Sequence, residues 1–192
     1  MKFRMFLAVL VIIVACNNEK SDEVSGPGED QARVDASKMS PADETQKKSE
    51  ELQKLSPYTL DQMNALLPEN LIGAKRSNIL ANSANGAPYV EGIYPINDST
   101  EVKVTIFDCA GDGGVGIYNM QYSNLMNFEM VSEEEYTKTT DFNGSKAIEH
   151  ATKDNSNASL TYLAAGRLLV TLEGKNTGVS ILKKAAGNLN LK

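Results

Sequence analysis

Glu101-Val102-Lys103-Val104-Thr105-Ile106-Phe107 alternates with a period of two. Val102, Val104 and Ile106 fall on one side of an extended chain, and Glu101, Lys103 and Thr105 on the other. A strand with one buried and one wet face belongs to an antiparallel sheet. The strands of a parallel sheet are covered on both sides and read as continuous apolar runs. Upstream, Tyr89 to Ile96 is strand-like, and Asn97-Asp98-Ser99-Thr100 is a polar turn that returns the chain. Further upstream, Ile79 to Ala87 is rich in Asn, Ser, Gly and Ala and reads as a loop or weak strand.

The same pattern continues downstream. Tyr136–Asp141, Ser145–Ala151, Ala158–Ala164 and Arg167–Glu173 are short strands. Asn143-Gly144 and Asp154-Asn155-Ser156-Asn157 separate them, and Gly166 permits a third turn. Asn-Gly is a strong hairpin signal, because a tight type I′ turn requires φ > 0 at both central residues.

Three helices frame these strands. Thr59 followed by Gln62 is a capping-box pattern, and Leu60, Met63, Leu66 and Leu67 then share one face before Pro68. Ile117 to Phe128 aligns Tyr118, Tyr122, Leu125 and Met126. After Asn176-Thr177-Gly178, a last helix turns Val179, Leu182, Ala186 and Leu189 inward, with Lys183 and Lys184 near its negative end and Gly187 as a C-cap. The order α-β-β-α-β-β-β-β-α predicts an α+β fold: a mainly antiparallel sheet of about five to six strands with helices packed on one face.

Asp108-Cys109-Ala110-Gly111-Asp112-Gly113-Gly114-Val115-Gly116 is the most unusual stretch. Gly111, Gly113 and Gly116 match G-x-G-x-x-G between a strand and a helix, and Glu133 to Glu135 follow at the spacing of a ribose-binding acid. The preceding strand alternates, however, whereas a dinucleotide-binding first strand is apolar on both faces. The plainer reading is a connection that uses glycine for positive φ and close helix–sheet packing. Asp108 and Asp112 are weak candidates for a Ca²⁺ site but lack the D-x-D-x-D-G spacing. Asp154 to Asn157 offers oxygens that a turn also explains.

A nucleophilic Cys109 would need a base, and His150 is the sole histidine. In Ala147-Ile148-Glu149-His150-Ala151, Glu149 points to the face opposite His150. Glu133-Glu134-Glu135 reads as a solvated loop. Tyr89, Tyr94, Tyr118, Tyr122, Tyr136 and Tyr162 are rigid and amphipathic, which suits interfaces, although most are expected at the edge of the core. No catalytic residue, cofactor or metal is assigned.

The whole chain has 192 residues, 19 Lys+Arg, 25 Asp+Glu and a net charge of −6. That balance argues against nucleic-acid binding, which needs clustered cations. One His and two Cys leave too few ligands for a His/Cys zinc site.

Residues 1–16 read MKFRMFLAVLVIIVAC, with Lys2 and Arg4 ahead of an apolar run from Phe6 to Val14. The run is shorter than the roughly 20 residues that span a bilayer. Ile13-Val14-Ala15-Cys16 resembles the lipobox of bacterial lipoproteins. That resemblance implies export, diacylglycerol on the Cys16 sulfur, cleavage before Cys16 and acylation of the new amine. With about 0.8 kcal/mol per buried CH₂, two or more chains anchor stably. Loss of Lys2 and Arg4 leaves side chains summing to −8, so anionic lipid repels the mature chain and the acyl chains hold it unaided.

Asn17 stands where an Asp would signal inner-membrane retention, which favours the outer membrane, on its periplasmic or surface face. Glu19-Lys20-Ser21-Asp22-Glu23 is similar to the charged tethers of surface-exposed Bacteroidetes lipoproteins.

The expected organisation is a signal peptide over 1–15, a lipidated polar tether over 16–55, and an α+β domain over 56–192. The tether has too few apolar residues to offset chain entropy, and a helix can form from Ser40 onward, with Pro41 in its first turn. Leu66-Leu67-Pro68-Glu69-Asn70-Leu71-Ile72-Gly73-Ala74-Lys75-Arg76 and Gly166-Arg167-Leu168-Leu169-Val170 resemble an uncharacterised domain of exported bacterial proteins, which implies no activity. The functional expectation is a membrane-anchored envelope lipoprotein with a non-catalytic binding or structural domain and an envelope protein as partner. The alternative is an envelope enzyme, or a small-ligand or metal-binding protein, using the loop 108–116.

Overall fold

The alternating stretch lies inside an eight-stranded antiparallel sheet, seen in a computed structural model that describes residues 40–191. The expected signal peptide, Cys16 and the part of the expected tether up to residue 39 lie outside the described residues. In chain order the elements are α1 (Pro41–Gln53), α2 (Leu60–Asn64), the small hairpin β1 (Asn70–Leu71) and β2 (Ala74–Lys75), β3 (Asn78–Ala84), β4 (Ala87–Pro95) and β5 (Glu101–Asp108). Then come α3 (Gly111–Gln121), a 3₁₀ turn (Ser123–Leu125), β6 (Met130–Val131), β7 (Glu135–Phe142), β8 (Ser145–Thr152), β9 (Asn157–Ala164), β10 (Leu168–Lys175) and α4 (Val179–Gly187).

Across the sheet the order is β3-β4-β5-β10-β9-β8-β7-β6. Two meanders, β3 to β5 and β6 to β10, are joined through α3, and the second closes against the first where β10 pairs with β5. The α+β class and the antiparallel sheet stand, but there are eight strands where about five to six are expected. β3 falls in the segment read as a loop or weak strand. Its signal was the Asn85-Gly86 pair, whose residues take φ of 52° and 83° and make the same tight turn as Asn143-Gly144. β6 has only two residues, too few for any pattern to show.

The helices occupy both faces of the sheet, not one. Val102, Val104 and Ile106 point into the larger core with Met63, Leu67, Leu172 and Leu182, beneath α2 and α4. On the opposite side, Leu169, Phe107 and Leu163 join Leu52, Ile117, Tyr118 and Tyr122 beneath α3 and α1. The alternation of 101–107 hid this second layer because it covers only one end of the strands. Phe107 is packed there, while Lys103 and Thr105 remain half-buried.

α1 belongs to the folded domain and not to the tether. Ser40 caps it through a capping box with Asp43, Pro41 opens it, and Leu52 is completely buried against the α3 layer. The domain therefore includes α1, from Pro41, and does not begin at residue 56. The capping box of Thr59 and Gln62 is present, although α2 lasts only five residues. Val179, Leu182 and Ala186 of α4, and Leu189 just beyond its end, are all buried.

Candidate functional site

The glycine-rich connection is shaped by how closely backbones approach there. Gly111 has φ of 71° and turns the chain from β5 into α3. A Cβ on Gly113 would run into the carbonyl oxygen of Asn85, and one on Gly114 into the backbone of Asp108 and Cys109. Gly116, in contrast, faces open space. The helix starts inside the glycine run, at Gly111, six residues earlier than the apolar spacing from Ile117 indicates. Glycines at 113 and 114 let α3 lie directly on the β3–β4 turn and the end of β5. Two carboxylates, Asp108 and Asp112, stand around this helix start, and Asp112 accepts from Gln53 Nε2 at 2.8 Å. Asp112, in the first turn, thus already supplies a negative charge to the positive end of α3.

Asp108 is fully buried and ties three segments together. Its Oδ1 accepts from Arg167 Nε (2.9 Å) and Ala110 N (3.2 Å). Its Oδ2 accepts from an Arg167 terminal nitrogen (2.6 Å) and Tyr58 N (2.7 Å). The same guanidinium nitrogen donates to Ser56 O (2.9 Å), and the Tyr58 ring lies 4.0 Å from the Arg167 carbon. A bidentate pair with four donors on one carboxylate satisfies a charge that would otherwise be costly to bury. Asp108 thereby serves as a structural tie and has no free lone pair for a cation. The pairing of Arg167 with Asp108 has no local signal in the sequence, because the two lie 59 residues apart.

The other candidate residues do not converge. Cys109 is fully buried, and desolvation pushes its thiol from 9.0 up to about 12, so it holds its proton at neutral pH. His150 sits three strands away in the order β5-β10-β9-β8. Through Ser159 and Glu173 it is registered with Lys103, five residues along β5 from Asp108. His150 Nδ1 pairs with Thr137 Oγ1 (3.0 Å), and its Nε2 lies 3.7 Å from Glu135. Among the described residues no group of three or more His, Cys, Asp or Glu is placed to hold a metal.

Glu149 faces away from His150, as the alternation requires, and is nearly fully buried. Lys183 of α4 lies against its Oε1, and Lys138 Nζ is 3.8 Å from Oε2. Oε1 nevertheless makes no hydrogen bond of good geometry among the described residues. Asp154 stabilises its own turn by accepting from Ser156 N (2.9 Å), and that hydrogen bond holds its carboxyl down at about 2.

The tyrosines divide between packing and wall-building. Tyr94, Tyr118, Tyr122 and Tyr162 are buried, and Tyr58, Tyr89 and Tyr136 stay half-exposed. Tyr94 Oη donates to Pro68 O (2.7 Å) and Tyr122 Oη to Lys146 O (2.6 Å). Burial raises both phenols above their ordinary range.

A groove of about 1250 Å³ opens beside Tyr118, and sequence reasoning missed it. One wall is the first half of α1, from Ser40 to Ser49; the other is Asn119 of α3 with the turn through Asn124 and Asn127. Thr139 and Lys146 contribute the strand side. Its shape is fixed by hydrogen bonds: Thr139 Oγ1 donates to Met126 O (2.7 Å), and Tyr122 holds the end of α3 on β8. Asn119 Oδ1 accepts from Ser49 and Ser123, each at 3.2 Å, which bridges the two walls. Most lining side chains carry a hydroxyl or carboxamide, and the charges among the described lining residues are Glu44, Glu129 and Lys146. These residues come from α1 and from the stretch between α3 and β8, with Ser49 and Asn119 70 residues apart, so no local motif announces them.

Among known proteins, no family model, curated sequence or solved structure matches this chain. No helix among the described residues is long and apolar enough to cross a membrane.

Proposed function

We propose that this chain is a lipid-anchored protein of the bacterial cell envelope whose α+β domain binds a partner without catalysing a reaction. The groove between α1 and α3 carries the reading. At about 1250 Å³ it exceeds the roughly 300–1,000 Å³ of a small-molecule pocket, which suits an elongated ligand. Its carboxamides and hydroxyls supply both donors and acceptors, which favours an uncharged polar occupant such as a stretch of envelope protein backbone. It contains no histidine or cysteine and hence no paired nucleophile and imidazole base. The loop 108–116 offers the alternative enzyme reading little, since Asp108 is spent on Arg167 and Cys109 is buried. Anchoring rests on Ile13-Val14-Ala15-Cys16, and the outer membrane on Asn17. The net charge of −6 supports partners other than nucleic acid.

Two experiments test this. A Cys16→Ala variant should leave the membrane fraction, and retention there refutes the lipid anchor. A photo-crosslinking residue at Asn124, on the groove, should capture one defined envelope protein that the same residue at Asp98, on the β4–β5 turn, does not. Equal capture at both positions, or tight binding of a small ligand at 108–116 with no capture at Asn124, overturns the groove reading.

A further inference from the structure

The two edges of the sheet are built differently. β6 is an edge of two residues, with Glu129 before it and Glu133 to Glu135 after it. Short length and charge are the usual protections of an exposed edge. β3, at the other end, has seven residues and among the described residues pairs only with β4. No charged residue occurs from Ser77 to Val90, and β3 itself contains no proline. Ile79 is 37% exposed and Leu80 46%, and Leu60 on the helix lying over this strand is 44% exposed. An antiparallel ladder uses only alternate residues toward β4, so the remaining N–H and C=O groups of β3 point outward. Near its turn end the strand is closed, because Asn82 Oδ1 takes the Ser83 N–H (2.7 Å). The stretch free to pair is thus Asn78-Ile79-Leu80-Ala81-Asn82.

That stretch is its own complement. Antiparallel pairing about Leu80 places Leu80 on Leu80 of a second copy, Asn78 opposite Asn82, and Ile79 opposite Ala81. Directly opposed residues share a face, so apolar meets apolar and carboxamide meets carboxamide. The absence of charge matters because the chain is acidic, at −6, and two copies repel elsewhere. Here they approach without like charges meeting.

We infer that β3 is a self-association edge, through which two copies pair antiparallel about Leu80 to form one continuous sheet with two-fold symmetry. Pairing consumes the β3 edge of both copies and leaves only the short, acid-flanked β6 edges outside. Assembly therefore stops at two instead of running on as a fibre. Strand pairing alone buries less than the ~1,000 Å² of a stable interface, so the dimer is a weak one, with dissociation in the micromolar range or above.

Sedimentation of the full chain in detergent tests this. Wild type should show a concentration-dependent monomer–dimer equilibrium. Leu80→Lys, at a half-exposed position that leaves the fold intact by circular dichroism, should weaken dimerisation by at least about tenfold, or 1.4 kcal/mol. Leu80→Cys should form an intermolecular disulfide under mild oxidation, while Ser83→Cys, six residues out of register with its own copy, should not. A wild type that stays monomeric at high concentration, open-ended polymers, a dimer indifferent to Leu80→Lys, or equal crosslinking at 80 and 83 overturns the assignment.

Discussion

The Arg167 guanidinium and the Asp108 carboxylate meet through two hydrogen bonds, at 2.9 and 2.6 Å, with the carboxylate wholly out of solvent. Arg167 immediately precedes β10 and Asp108 closes β5, so the pair fastens the two meanders where they join. The backbone continues the tie, since Cys109 N donates to Arg167 O at 2.9 Å. Through Tyr58 N and Ser56 O the same pair also fixes the segment between α1 and α2.

Removing one partner should therefore cost far more than removing both. Arg167→Ala leaves a buried, unpaired carboxylate and should destabilise by about 3–5 kcal/mol. Asp108→Leu with Arg167→Met should cost less than that single change. Urea unfolding of the three proteins measures it, and equal losses would mean that the pair is not the origin of the effect. Arg167→Lys should not rescue, because an ammonium cannot make the two-point contact.

The glycines of α3 should separate cleanly in the same assay. Gly116→Ala meets nothing and should stabilise by about 0.5–1 kcal/mol, as alanine replaces glycine within a helix. Gly113→Ala and Gly114→Ala drive a methyl into backbone and should each cost about 1–3 kcal/mol or more. Three equal outcomes would contradict the close approach of α3 to the β3–β4 turn.

Buried protons predict alkaline sensitivity. Cys109 is pushed from 9.0, and Tyr122 and Tyr162 from 10.0, each to about 12 by desolvation. Between those limits the unfolded chain loses protons that the folded chain keeps, so stability falls as pH rises from 9 toward 12 and is unaffected below. Unfolding midpoints across that range check the sign. In native protein at pH 8, iodoacetamide should leave Cys109 unmodified and should label it on unfolding.

Lys183 and Glu149 should be strongly coupled. Lys183→Ala leaves a carboxylate that is 3% exposed with only Lys138, at 3.8 Å, beside it, and should cost about 1–3 kcal/mol. In a Glu149→Leu background the same change should cost below about 0.5 kcal/mol. A double-mutant cycle gives the difference directly, and additive effects would show that Lys183 contributes packing alone.

Much of the fold was readable locally. The alternation of 101–107, Asn143-Gly144, the Thr59–Gln62 cap and the spacing of 179–189 each act within a few residues, where backbone preference and one buried face suffice. The same kind of signal, Asn85-Gly86, marked the β3–β4 hairpin, but the small polar residues of β3 obscured it. They carry no alternation because the strand is largely exposed on both faces.

What the sequence determined by itself is the chemistry available: an acidic chain, two thiols at Cys16 and Cys109, one histidine and an antiparallel pattern. Tertiary structure decided how that chemistry is spent. It placed Arg167 against Asp108 across 59 residues, put helices on both faces, drew α1 into the domain and left Cys109 and His150 apart. Period-two patterning reports only whether a face is wet or dry. It cannot say which distant segment covers that face, nor where two segments leave a groove between them, because those outcomes depend on strand order and on packing summed over the whole sheet.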